Sequence, residues 1–244
     1  MKARFWIPVV LGLCFAAPAA AQAVIWHTEG ACSRERYRPP RRRAAEARRD
    51  TAWTQALDSI RADLSRSARA AGAVPEGLFM VDYDVRARTG RMWMAQGSIP
   101  ASVLQAVYTR AEPALRTYPY AQRGRVMFHA RLEEIAEDSI RPGDVVEECR
   151  PEVRNEAEIR RMIADFAGRP NGSGSGPAQV LALIARDGQV VYTELKRTSG
   201  NGRVDQFALQ LFARMQFSPG TVNGQPKDLW VEQPVVVQGD RRFP

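Results

Sequence analysis

Val180-Leu-Ala-Leu-Ile-Ala185-Arg-Asp187-Gly188-Gln-Val190-Val-Tyr-Thr-Glu-Leu195 reads as two strands folded back on each other. The first run is apolar, the second is rich in β-branched and aromatic residues, and Asp-Gly between such runs is a strong hairpin signal. Ser199-Gly200 breaks the second strand. Val204, Phe207, Ala208, Leu211 and Met215 then recur at helical spacing, so one apolar face is expected to pack on the hairpin. Asp205 in the first turn suits the positive end of the helix dipole, and Pro219 is expected to end the helix. Gly224-Gln-Pro226 marks another turn, and Leu229 to Val237 reads as a last strand.

Upstream, Asn155-Glu-Ala-Glu158 is a variant of the capping box, with Ile159, Met162, Ile163 and Phe166 expected inward. Arg169-Pro-Asn-Gly-Ser-Gly-Ser-Gly-Pro177 is a flexible link. The first half has the same order. Asp50 can cap a helix reaching about Ala71, with Trp53, Leu57, Ile60 and Leu64 on one face. Leu78 to Arg86 reads as a strand, Thr89-Gly90 as a tight turn and Arg91 to Gln96 as the returning strand. Pro100 opens a helix carrying Val103, Val107 and Ala111, Tyr118-Pro119 stops it, and Arg125 to Leu132 is the third strand. The fold class expected is α+β: two β-β-α-β modules with small antiparallel sheets, each preceded by a helix. An internal duplication accounts for this; chance similarity of small units is the alternative.

The 244 residues carry 35 basic and 27 acidic side chains, a formal net charge of +8. Lys2, Lys196 and Lys227 are the only lysines, so the arginine excess reflects composition as much as function, and nucleic acid is not the partner expected. Lys2 and Arg4, the apolar run Phe5 to Ala17 and the small residues up to Ala23 resemble a secretion signal, with cleavage after Ala21 or Ala23. An uncleaved inner-membrane anchor is the alternative. Residues 1–23 are thus assigned to the signal, 24–49 to a basic extended tail, 50–145 to the first module and 146–244 to the second. In an oxidising compartment Cys32 and Cys149 are expected to pair, closing a loop worth about 4–5 kcal/mol in the chain-entropy model. Two separate thiols, or pairing between chains, are the alternatives.

Residues Arg34 to Arg49 hold eight arginines and two glutamates, with Pro39-Pro40 keeping the stretch extended. Arg41, Arg42, Arg43, Arg48 and Arg49 are the candidate contacts for an anionic envelope polymer; a solvated leader is the plain alternative.

Asp187-Gly188, Thr198-Ser199-Gly200, Asp205, Ala208, Phe217-Ser-Pro219, Gly224-Gln-Pro226 and Trp230-Val-Glu-Gln-Pro234 fall in one order and spacing. In this the chain resembles, over about 150–238, the C-terminal domain of TonB-like proteins. The resemblance implies the fold, a periplasmic setting, and a partner that is an envelope protein or peptide, such as an outer-membrane receptor. The long proline-rich spacer of TonB itself is absent. Pro234 lacks an N–H and is tolerated mainly where a strand edge is open. The candidate partner-binding edge is therefore Leu229, Trp230, Val231, Glu232, Gln233, Pro234, Val235, Val236 and Val237. Pro234 as a guard against pairing, or a cover supplied by the other module, remain open.

No catalytic group stands out. His129 alternates with apolar residues on a strand and His27 lies in the tail, neither beside a nucleophile. Glu133-Glu134 and Glu147-Glu148 are adjacent, which on a strand sends them to opposite faces. Gly172-Ser-Gly-Ser-Gly176 lacks the Lys-Ser/Thr of a phosphate loop. No enzyme activity, metal or cofactor is expected, and the sequence leaves the oligomeric state open.

Overall fold

The computed structural model describes residues 23–24, 32–36, 44–116, 124–132, 144–167 and 176–237. These residues form an α+β fold of four helices and three small antiparallel sheets. They divide into two compact units, one built from 32–149 with 222–225, the other from 150–221 and 226–237 with Ala23 and Val24.

In the 32–149 unit, α1 (Ala44–Ala70) is followed by β3 (Leu78–Asp84), β4 (Thr89–Met94), α2 (Ala101–Leu115) and β5 (Arg125–Arg131). The sheet order is β4-β3-β5, with β3 antiparallel to both neighbours. Ile60, Leu64 and Ala68 of α1 and Leu104, Val107, Ala111 and Leu115 of α2 close over Phe79, Val81 and Tyr83 of β3. Burying each large side chain of this kind contributes about 1.5–3 kcal/mol. Trp53 packs edge-on to Phe128 at 5.1 Å, so the expected face of α1 is the one buried.

The 150–237 unit follows the same path. It contains α3 (Glu156–Ala167), β7 (Ala178–Ile184), β8 (Val190–Arg197), α4 (Gly202–Arg214) and β11 (Leu229–Val237). Again the first strand is central: β11 and β8 flank β7, both antiparallel. Its core joins Ile159 and Ile163 of α3, Val204, Phe207, Ala208, Leu211 and Phe212 of α4, and Val180, Ala182, Ile184, Val235 and Val237 of the sheet. Phe166 stacks on Phe207 at 4.0 Å.

A third sheet was not foreseen. β2 (Cys32–Arg36) pairs with β6 (Val145–Cys149), and the order continues through β9 (Thr221–Val222) to β10 (Gln225–Pro226). Every residue of β2 is exposed, so no apolar alternation announced it. Part of the expected extended tail is therefore paired strand, and another part, from Ala44, is helix. Asp50 lies inside that helix, not at its cap.

Other boundaries also differ. The β3–β4 turn falls before Thr89-Gly90: Arg88 takes a positive φ of 54°, and Asp84 accepts from the Arg86 and Ala87 N–H groups at 2.8 Å. Gly90 stands within β4, where a Cβ would meet the Tyr108 hydroxyl at 2.7 Å and the Asp82 carbonyl. α4 ends at Met215, which is extended, four residues before Pro219. The turn read at Gly224-Gln-Pro226 is centred one residue earlier, on Asn223 and Gly224, both with positive φ. The stop assigned to Tyr118-Pro119 and the Gly-Ser link lie outside the described residues.

Candidate functional site

β11 begins and ends where the sequence placed it, at Leu229 and Val237. Its start is fixed by Asp228, whose carboxylate accepts from the Arg186 N–H at 2.9 Å, and by the Lys227 N–H donating to the Gly220 carbonyl at 2.9 Å. Val235 and Val237 are buried in the core and Val231 packs against it, as period-2 alternation requires. Trp230 takes the other face, edge-on to Tyr192 at 5.8 Å. Glu232 is exposed.

β7 pairs with β11 from Leu229↔Ile184 to Val235↔Ala178. On β7's other side the Ala185 N–H donates to the Gln189 carbonyl. Because ladder bonds alternate along a strand, Ile184, Ala182, Val180 and Ala178 direct theirs toward β11, opposite Leu229, Val231, Gln233 and Val235. Pro234, in between, thus has its nitrogen on the side away from β7 and deletes no bond of that ladder. At the far end of the strand, Val236 and Val237 pair with Val24 and Ala23 of β1 (Ala23–Val24). Among the described residues, β1 is the strand that pairs with β11 opposite β7.

The same unit holds two polar knots that sequence reasoning missed. Asp205 is buried, and its carboxylate accepts from the Thr198 hydroxyl and, at 2.7 Å, from the Ser199 N–H. Burial pushes its carboxyl up, but the bonds from Thr198 and Ser199 outweigh that and hold it below the usual range. Its role in the helix dipole is thus secondary to stapling the β8–α4 loop. Asn155 accepts from the Gln216 N–H at 2.9 Å and donates to the Arg214 carbonyl at 3.0 Å. Its amide also donates to Glu158 at 2.9 Å, so the capping-box side chain serves the end of α4, far along the chain. A local motif carries no signal for such a long-range partner.

Cys32 and Cys149 are joined by a disulfide and stand directly opposite each other in the β2–β6 ladder. Two residues along, Arg34 Nε donates to Glu147 Oε1 at 2.8 Å. Of the arginines assigned to an anionic polymer, Arg41, Arg42 and Arg43 lie outside the described residues, and Arg48 and Arg49 fall in the opening turns of α1. Among the described residues no helix is long and apolar enough to cross a membrane.

Residues 173–236 match the family described as Gram-negative bacterial TonB protein C-terminal. The matched segment spans β7, β8, α4 and nearly all of β11. No curated protein and no solved structure matches the chain.

Proposed function

We propose that this chain is a non-enzymatic interaction protein of the Gram-negative envelope, exported by its N-terminal signal and acting in transport. Its β11 edge receives an extended segment of an envelope protein or peptide, an outer-membrane receptor being the leading candidate. The observation that carries this reading is the TonB C-terminal match, ending on β11. Main-chain pairing supplies affinity in strand addition, and side chains on alternate faces supply selectivity. Glu232, exposed at the middle of the strand, is where a visiting strand would lie.

The test is nuclear magnetic resonance titration with an extended peptide from the periplasmic side of an outer-membrane receptor. Amide shifts are expected along 229–235. Glu232→Pro removes an N–H that faces away from β7, so it should weaken binding about tenfold while the β7–β11 ladder persists. Shifts confined to residues 34–49 would overturn the reading.

A second reading rests on the eight arginines of 34–49 together with the full exposure of β2. In it the protein holds an anionic surface polymer. It requires salt-sensitive binding to lipopolysaccharide that deleting 34–49 abolishes.

A further inference from the structure

Between α3 and α4 lies a groove of about 340 Å³. The two helices run antiparallel: Asn155, just before α3, bonds to Arg214 and Gln216 at the end of α4, and Phe166, near the end of α3, stacks on Phe207. Asp165, in the last turn of α3, and Arg203, in the first turn of α4, therefore line the same end of the groove from opposite walls. Met162 and the Phe166–Phe207 stack make an apolar floor, half-buried at Met162 and Phe166. Gln206 and Gln210, one turn apart on α4, set two amides along one wall.

Neither charge is engaged within the protein. Asp165 stands four residues after Arg161, a spacing at which helix side chains pair, and Arg160 does pair with Glu156 at that spacing. Yet among the described residues Asp165 makes no ion pair or side-chain hydrogen bond with Arg161 or Arg203. Asp205, the other acid at this end, is turned inward to Thr198 and Ser199. The helix ends reinforce the polarity: the C-terminus of α3 adds partial negative charge beside Asp165, and the N-terminus of α4 adds partial positive charge beside Arg203. What complements such a groove is a small molecule with an anion and a cation at one end and an apolar tail. The volume is at the lower end of the roughly 300–1,000 Å³ of ligand pockets. One turn of helix, about 5.4 Å long and about 10 Å across, displaces roughly 400 Å³, so a docking helix is too large for it.

We propose that the α3–α4 groove binds a free α-amino acid with a large apolar side chain. The ligand's ammonium donates to the Asp165 carboxylate, and its carboxylate accepts from the Arg203 guanidinium. Its side chain lies over Phe166 and Met162, bordered by Gln206 and Gln210. The site is built on helices, whereas strand capture uses the β11 edge, so neither function needs the other.

The test is nuclear magnetic resonance titration of the full chain with L-phenylalanine. Saturable amide shifts are expected at 162–166 and 203–210, with a Kd in the millimolar range or tighter for a ligand of about twelve non-hydrogen atoms. N-acetyl-L-phenylalanine and L-phenylalaninamide each lack one charge, and L-alanine lacks the ring, so each should bind about tenfold or more weakly. Asp165→Asn should erase the preference for phenylalanine over its N-acetyl form, and Arg203→Gln the preference over its amide. Both side chains are exposed and outside the core, so both variants should keep the parent's far-ultraviolet circular dichroism. Absence of saturable shifts overturns the proposal, as does equal binding of the N-acetyl form or the amide, or a preference that survives its variant. L-Alanine binding as tightly as phenylalanine overturns the apolar floor as assigned. The residues read out do not include β11, so failure here and failure of strand capture are told apart.

Discussion

Gly188 and Phe217 are locked backbone to backbone. The Phe217 N–H donates to the Gly188 carbonyl at 3.0 Å, and the Phe217 carbonyl stands where a Cβ on Gly188 would be. Gly188 also has a φ of +85°, so the β7–β8 turn tolerates no side chain on two separate grounds. Gly188→Ala should cost about 3 kcal/mol or more in urea unfolding. Gly224 supplies the control: its φ is +77° with nothing within 4 Å, so Gly224→Ala should cost only about 1 kcal/mol.

Acid should find Asp205. Its folded-state pKa is held below the unfolded value of roughly 3.9. The stabilisation is thus fully present above that value and is lost as pH falls through the folded pKa. Asp63, lowered chiefly by its bond from Arg110, adds to the same slope. Asp205→Asn should cost about 2 kcal/mol at neutral pH and flatten, without abolishing, the fall in stability below about pH 4. Thermal melts across that range provide the check.

Removing Asn155 should loosen the end of α4. Asn155→Ala leaves the Gln216 N–H and the Arg214 carbonyl without their partner, a loss of about 1–2 kcal/mol. Hydrogen exchange should rise at Gln216, with β3 and β4 unchanged.

Breaking the bridge should act on one unit. Cys32 and Cys149 both belong to the 32–149 unit and enclose its core, while the core around Phe212 lies outside the loop. Cys32→Ser should lower protection from exchange in β3 and α2 by more than tenfold and leave β7 and α4 within error.

Much of this was legible in the sequence because it was written in periodicity. β11 and the inward face of α4 follow from spacing alone, since each buries one face against a core. The β2–β6 ribbon follows from nothing of the kind. Cys-Ser-Arg-Glu-Arg is exposed throughout and Val145 is 58% exposed, so long-range main-chain bonds and one covalent bond hold it in place of apolar burial. Thr89-Gly90 misled for a related reason. Its glycine answers to the Tyr108 hydroxyl, a neighbour that appears only once α2 has docked on the sheet. At β11 the proline signalled a nitrogen turned away from the neighbouring strand, but the pairing of Val236 and Val237 by Ala23 and Val24 had no pattern to reveal it.

The sheet β10-β9-β6-β2 is assembled from three stretches of chain, the first near residue 32 and the last near residue 225. Closing so long a loop costs entropy before any of its bonds form. The ladders β4-β3-β5 and β11-β7-β8 need only neighbouring segments, so they can form first. The hairpin at Asn223 then docks on β6 after those ladders have formed. Folding of this protein should accordingly end in a slow, spectroscopically quiet phase, invisible to tryptophan but resolved by pulse-labelling the Asn223 and Glu147 amides.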